Sequence, residues 1–384
     1  MSYIEGLGSG GRDLRLMDKF FEINWGFILL LCLVAGLGFI MLYSVAGGQI
    51  DPWASRQMIR FGAGMAMLFV IALIDIRVWM VLAYPAYAVA LILLVSAEFI
   101  GVSGMGAKRW IELGPIQLQP AEFMKIAMVL TLARYFHGIS LEQVSRLFYL
   151  LPPLLIIALP VMLVLRQPDL GTAALLAIGG CLMLFIAGLN WKVITSFLVL
   201  GVAAVPVGWQ MLYDYQKDRI FMFLDPTRDP LGAGYNIIQS KIALGSGGVF
   251  GKGFGEGTQS QLNFLPEKHT DFIFTMLGEE LGLMGASFLL GLYILLLGYG
   301  IAFALESRNH FGRLVAIGVC LTFFLYIFIN VAMVMGLVPV VGVPLPLVSY
   351  GGTAMLTLLF GFGLLMCVHI HRGVELPRNS IGLW

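Results

Sequence analysis

Apolar residues in this chain gather in long, nearly unbroken runs, with neither the period of two of a half-buried strand nor the narrow stripe of a surface helix. Such runs can be drawn at 24–46, 58–75, 78–99, 120–137, 147–165, 172–189, 191–212, 275–304, 311–335 and 348–370. Most are about 18 to 25 residues long, the length a helix needs to cross a hydrocarbon core of about 30 Å. The pattern predicts an all-α integral membrane protein of about ten transmembrane helices. Polar positions concentrate between the seventh and eighth runs, from Tyr213 to Thr270, which predicts one large loop, 213–270, between helices 7 and 8.

Composition agrees with this class, since 59% of residues are hydrophobic and 12% charged, against about 25% charged in soluble domains. An even number of spans puts both termini on one side. Arg12, Arg15, Lys19, Arg77, Arg134, Arg146, Lys192, Arg308, Arg313, Arg372 and Arg378 fall on the termini and alternate short loops, whereas the other short loops carry only Arg56, Arg60, Lys108, Arg109 and Arg166. The excess of basic residues marks the cytoplasmic side, so both termini are read as cytoplasmic and the long loop as extracytoplasmic. The first twenty-odd residues lack the apolar core and small-residue cleavage site of a removable signal, and the first span is read as an uncleaved anchor.

No linker, low-complexity tract or internal repeat divides the chain, so 1–384 reads as a single polytopic membrane domain. The net charge of +1 and the lack of a basic run argue against nucleic acid as a partner. Cys32, Cys181, Cys320 and Cys367 all lie in apolar runs without metal-type spacing and read as small packing residues.

Within the long loop, Gly245 to Gly255 is dense in glycine, which permits positive φ and close backbone approach and predicts an irregular, re-entrant segment. Gly251-Lys252 resembles the end of a phosphate-binding P-loop, but Ser246 stands where that motif needs glycine and Gly253 where it needs a hydroxyl. A nucleotide site is therefore not expected.

Ionisable residues within apolar spans are costly and mark function by default. Glu122 and Lys125, at i and i+3 near the outer end of the fourth run, share a helix face and can neutralise each other. They are either a buried pair that fixes helix orientation or the wall of a polar cavity. Asp271, at the junction of loop and eighth run, has two readings: a helix N-cap, or a general base at the membrane surface with Lys268 and His269 balancing its charge. Glu279 and Glu280 lie one or two turns further and are secondary candidates. His269 has no second His or Cys at metal spacing, so no dedicated metal site is expected. His369 and His371 read as interfacial polar residues.

Several motifs in order resemble the SEDS family. They are Gly106-Ala107-Lys108-Arg109-Trp110-Ile111 with Leu113-Gly114, the segment Gln119–Lys125, Gln167-Pro168-Asp169-Leu170-Gly171-Thr172, Asp229-Pro230-Leu231-Gly232 with Gly234 to Lys241, Gly257-Thr258-Gln259-Ser260-Gln261, Phe264 to Asp271, Glu279-Glu280-Leu281-Gly282, and Pro344 to Gly352. The resemblance extends over essentially all the spans, and the Gly257–Gln261 and Phe264–Lys268 strings favour the family's elongation branch over its division branch.

The resemblance implies a peptidoglycan glycosyltransferase of the bacterial plasma (inner) membrane that polymerises lipid II on the outer face, with a class B penicillin-binding protein and the elongation machinery as partners. It implies that Asp271 is the catalytic base and that Glu122 and Lys125 form the intramembrane cavity pair. Arg109, Lys125, Arg219, Lys268 and His269 are the candidates to position the head group or meet pyrophosphate charge. It leaves room for a divalent cation on the pyrophosphate, without a dedicated protein site. Two positions depart from the family: Ala121 stands where serine is common, and Asp218 where a neutral or basic residue is common. A flippase or transporter of lipid-linked precursors, with ten helices and a polar midplane pair, is the alternative function, and a scaffold that only recruits wall enzymes is a third.

Overall fold

The computed structural model describes residues 15–377 except 105–106, 114–115, 145, 194, 197–198, 200–202, 204–205, 207–208, 211–213, 230–233 and 263. Its long helices are α1 (Trp25–Val45), α2 (Trp53–Leu73), α3 (Ile76–Ile100), α4 (Pro120–His137), α5 (Leu147–Arg166), α6 (Leu170–Ile186), α7 (Ile273–Glu306), α8 (His310–Val334) and α9 (Gly352–Ile370). Seven of these, α1, α2, α3, α5, α7, α8 and α9, are long and apolar enough to cross a membrane. The apolar α6 is shorter, at 17 residues. The seventh apolar run, 191–212, falls largely outside the described residues.

Local chemistry sets the helix starts. Asn24, Asp75, Asp169 and Asn309 each accept a hydrogen bond from an amide in the first turn of the helix that follows, at 3.0, 2.8, 3.1 and 2.6 Å, which satisfies donors that have no partner inside the helix. Pro120 opens α4 at a position where its missing N–H costs nothing.

The helices differ in how far they turn inward. In α8 and α9, 72% and 83% of the apolar window is buried, against 28% in α2, α3 and α5. The first pair is therefore the centre of the bundle, and the other three present most of their apolar side chains outward, as a lipid solvent permits. α9 packs on α2, α4 on α3, and α7 on α8. Most of α4 is buried, including Glu122 and Lys125.

Two departures from a chain of unbroken helices stand out. First, the loop after α3 folds into a three-stranded antiparallel sheet, β1 (Val102–Gly104), β2 (Ala107–Leu113) and β3 (Ile116–Leu118), in that order. The short segments between α3 and α4 satisfy their backbone groups by pairing with each other. Second, α7 is 34 residues long and is interrupted at Gly282, whose φ of 66° and ψ of −164° are not helical. There the glycine-rich loop docks on the helix: Leu283 N and Met284 N donate to Gly248 O and Val249 O at 3.0 and 3.1 Å, and Lys252 N and Gly253 N donate to Glu279 O and Glu280 O at 3.0 and 3.1 Å. Gly251, at φ 81°, passes so close that a Cβ on it would sit 2.1 Å from Glu280 O. The loop is thus backbone-bonded into the interrupted helix.

Candidate active site

A cavity of about 830 Å³ opens among the ends of α2, α4, α6, α7, α8 and α9. Its wall takes Arg56 and Arg60 from α2, Trp110 and Glu112 from β2, Glu122 from α4, Thr172 from α6, Tyr326 from α8, Asp271 from the entry to α7, Gly342 to Pro344 with Tyr350 and Gly351 from the segment that leads into α9, and Gly352 to Ala354 from its first turn. Its volume lies within the range of about 300–1,000 Å³ common for small-molecule sites.

Asp271 is set in place by the chain that enters α7. The N-cap of that helix is Phe272, with no side-chain cap bond, so the N-cap role open to Asp271 in the sequence is taken by its neighbour. The carboxylate instead borders the cavity. Gly342, at φ 72°, lies beside it: a Cβ there would stand 3.3 Å from Asp271 Oδ2. A side chain at 342 would crowd the carboxylate as well as strain the backbone.

Glu122 and Lys125 form a buried ion pair at 2.6 Å, with side-chain exposures of 5% and 3%. The Tyr326 hydroxyl bonds both partners, donating to Glu122 Oε2 and accepting from Lys125 Nζ, and the Lys125 ammonium lies 4.3 Å from the Tyr326 ring centroid. Each charged group thereby has two partners, the condition under which buried charge is tolerated. Glu122 and Tyr326 face the cavity, so the two readings of the pair combine: it is a closed structural network and also part of the cavity wall.

The cavity wall carries two cations that the sequence does not single out. In the sequence Arg56 and Arg60 read only as charges on an outer loop, because the apolar run begins at residue 58 while the helix starts at Trp53. With the helix extended, their i, i+4 spacing puts them on one face, and this spacing is the signal that would reveal them. The Arg60 guanidinium lies 4.7 Å from the Tyr350 ring centroid, and its Nη1 is buried with no hydrogen-bond partner among the described residues.

Other candidates are placed differently. Arg109 Nε and Nη2 donate to Gln167 O and Pro168 O at 3.1 and 2.6 Å, and its Nη1 stands 3.6 Å from Asp169 Oδ2. It braces the turn before α6, while its neighbour Trp110 reaches the cavity. Lys268 is buried, and burial pushes its ammonium below the ordinary lysine range, with Glu280 opposing. His269 stacks on Trp53 with ring centroids 4.4 Å apart and planes 11° apart. Burial pushes its imidazole down, Glu267 opposes this and Lys268 adds to it. Neither Lys268 nor His269 borders the cavity. The Arg219 side chain lies outside the described residues.

Glu279 and Glu280 are fully buried but serve the loop. Glu279 Oε1 accepts from Lys252 Nζ and Thr258 Oγ1 at 2.7 and 2.9 Å, and Glu280 accepts from Ser44 Oγ and from Gly255 N at 3.1 Å. Near the other end of α7, His369 Nδ1 and Glu306 Oε2 are 3.1 Å apart. Among the described residues, no group of three or more His, Cys, Asp or Glu side chains is placed to hold a metal ion.

The cell cycle protein family model built on FtsW, RodA and SpoVE matches residues 24–373. The peptidoglycan glycosyltransferase MrdB of Escherichia coli (strain K12) is 46% identical over 351 residues, covering 90% of this chain and 93% of its own. The probable peptidoglycan glycosyltransferase FtsW of Trichlorobacter lovleyi is 37% identical over 381 residues, covering 94% and 97%. Among solved structures, the rod shape determining protein RodA of Thermus thermophilus superposes with a TM-score of 0.69 at 31% identity, covering 91% of this chain and 97% of its own. A chain from a peptidoglycan synthase complex, solved for its coordination of polymerization and crosslinking, superposes with a TM-score of 0.80 at 34% identity, covering 91% and 98%.

Proposed function

This chain belongs to the FtsW, RodA and SpoVE family of cell cycle proteins, and from that premise we propose that it is a peptidoglycan glycosyltransferase. It polymerises lipid II into glycan strands on the outer face of the bacterial plasma (inner) membrane during cell elongation. The observation that carries the reading is the cavity, whose lining gathers Asp271, Arg56 and Arg60 beside the buried Glu122–Lys125–Tyr326 network.

Glycan extension needs a base and a means of meeting leaving-group charge. The acceptor 4-hydroxyl attacks the anomeric carbon of the donor: the new O–C bond forms as the bond to pyrophosphate breaks, and the hydroxyl proton passes to Asp271. A positioned carboxylate contributes about 10²–10⁴-fold to such a transfer. Because pyrophosphate leaves readily once its charge is met, one carboxylate suffices where glycosidases use a pair. Arg56 and Arg60 are suited to the phosphate oxygens, since guanidinium forks bind them with paired, charge-assisted hydrogen bonds. A divalent cation riding on the pyrophosphate would be held through the substrate's own oxygens. The Glu122–Lys125–Tyr326 network gives the cavity a fixed polar floor, Arg109 holds the backbone of the turn before α6, and His269 stacks on Trp53. Arg219, on the loop helix Asp214–Leu224, is a further contact for the head group.

The whole chain is one membrane domain of ten spans, both termini cytoplasmic and loop 213–270 outside. The even count of apolar runs and the basic residues on alternate loops support this arrangement. A class B penicillin-binding protein is the partner that cross-links the strands, and the likeness to a chain from a peptidoglycan synthase complex supports this. The test is polymerisation of purified lipid II by the purified protein with its cognate partner: glycan polymer is expected, and its absence with both proteins folded and the partner active would contradict the proposal.

A further inference from the structure

Three consecutive backbone carbonyls lead up to the carboxylate assigned as base, and each accepts a hydrogen bond from a different residue. His269 O accepts from Tyr350 N at 2.9 Å, Thr270 O from Ser349 Oγ at 2.5 Å, and Asp271 O from Asn330 Nδ2 at 2.9 Å. Two of the donors are neighbours in the segment that leads into α9, and the third lies on α8, one turn beyond Tyr326.

The same donors reach further. Ser349 Oγ also accepts from Leu345 N at 2.7 Å, and Asn330 Nδ2 also donates to Val343 O at 2.6 Å, so both tie the Asp271 junction to the 343–345 segment, of which Val343 and Pro344 line the cavity. Ser349 O accepts from Gln57 Nε2 at 2.7 Å. Gln57 sits between Arg56 and Arg60 on α2, and Tyr350, next to Ser349, lies under the Arg60 guanidinium. One residue therefore holds the base junction through its hydroxyl and the arginine helix through its carbonyl. Ser349 and Asn330 are 3% and 0% exposed, so solvent has no ready access to replace these bonds, and a lost partner leaves a buried polar group unsatisfied. The turn from Leu345 to Ser349 passes through Leu347 at φ 61°, a left-handed conformation unfavourable for a leucine.

We propose that Ser349 is a positioning residue that sets the spacing between the Asp271 carboxylate and the Arg56–Arg60 pair, with Asn330 as its second support. The proposal rests on the assignment of Asp271 as base. Neither residue borders the cavity, so both act through the groups they hold. Reacting groups held by such contacts lose about 100-fold in rate when displaced by about 1 Å.

The experiment compares wild type, Asp271→Asn, Ser349→Ala and Ser349→Thr in lipid II polymerisation with the cognate partner, recording kcat, KM and the midpoint of thermal unfolding. Ser349→Ala is expected to lower kcat about 10- to 100-fold with KM within about twofold of wild type, the signature of an interaction that matters in the transition state. Ser349→Thr, which keeps the hydroxyl, is expected to recover most of the rate. A merely structural role would lower the unfolding midpoint and leave kcat per folded molecule unchanged, and that result overturns the proposal. If Ser349→Ala is not recovered folded, Asn330→Ala is read by the same criteria. Wild-type polymer together with a fully active Ser349→Ala removes the positioning role alone, whereas no polymer from wild type, or full activity in Asp271→Asn, removes the reading beneath it.

Discussion

Glu122 and Lys125 are visible in the sequence because two opposite charges three residues apart stand out from the apolar run around them, where an ionisable group is costly. Tyr326, which completes the pair, is hidden there: a tyrosine in an apolar helix has no pattern that reveals a partner 204 residues away. Lys125→Ala leaves Glu122 charged and buried, which typically costs about 3–5 kcal/mol, and should lower the unfolding midpoint and weaken use of lipid II; unchanged kinetics would return the pair to a purely structural role. Arg60→Ala removes a cation from the cavity wall and is expected to raise KM for lipid II about tenfold, with Arg60→Lys in between, since a charge-assisted hydrogen bond contributes about 1.5–3 kcal/mol. The folding midpoint should hardly move, and an unaltered KM would remove Arg60 from the binding surface. His269 makes a pH-dependent contribution to stability. Burial depresses its folded pKa below the ordinary 6.5, so the unfolded chain takes up the proton first. The stability this ring contributes is complete above about pH 6.5 and is lost as pH falls through its lower folded value. Midpoints recorded in detergent across that window should fall with pH in wild type and fall less in His269→Gln.

At the level of elements, the apolar runs locate the long helices to within a few residues, because span length and hydrophobicity follow from the bilayer itself. The sheet between α3 and α4 is not legible in the sequence, since its three- and seven-residue strands lie in a loop without sustained alternation. The glycine-rich loop is legible as irregular but not as a docked element: glycine density announces unusual backbone and says nothing about its partner. Gly251 shows how tight that partnership is, with φ at 81° and no room for a Cβ against Glu280 O. Gly251→Ala is expected to destabilise the loop by more than about 1 kcal/mol, seen as faster proteolysis between residues 245 and 260 and as reduced polymerisation. Proteolysis at the wild-type rate would contradict the tight docking of loop on helix.

Over the whole molecule, the cavity lies where elements distant in sequence converge, from α2 near the start to the lead-in of α9 near the end. No short window of sequence contains it. The motifs that resemble the SEDS family flag Asp271 and the Glu122–Lys125 pair, but convergence of the helices is what brings Arg56 and Arg60 to the same wall. The proposed topology is open to a direct check: a cysteine placed by Glu256→Cys in a background lacking the four native cysteines should react with a membrane-impermeant maleimide on intact cells, and one placed by Glu375→Cys should react only after permeabilisation. The base role of Asp271 carries the proposed chemistry. Its most direct test is lipid II polymerisation by wild type and Asp271→Asn, each with the cognate partner, on a gel that resolves glycan chains. Long glycan is expected from wild type and a loss of at least about 100-fold in Asp271→Asn, with the variant still folded and bound to its partner. Polymer of equal length and yield from Asp271→Asn would contradict it.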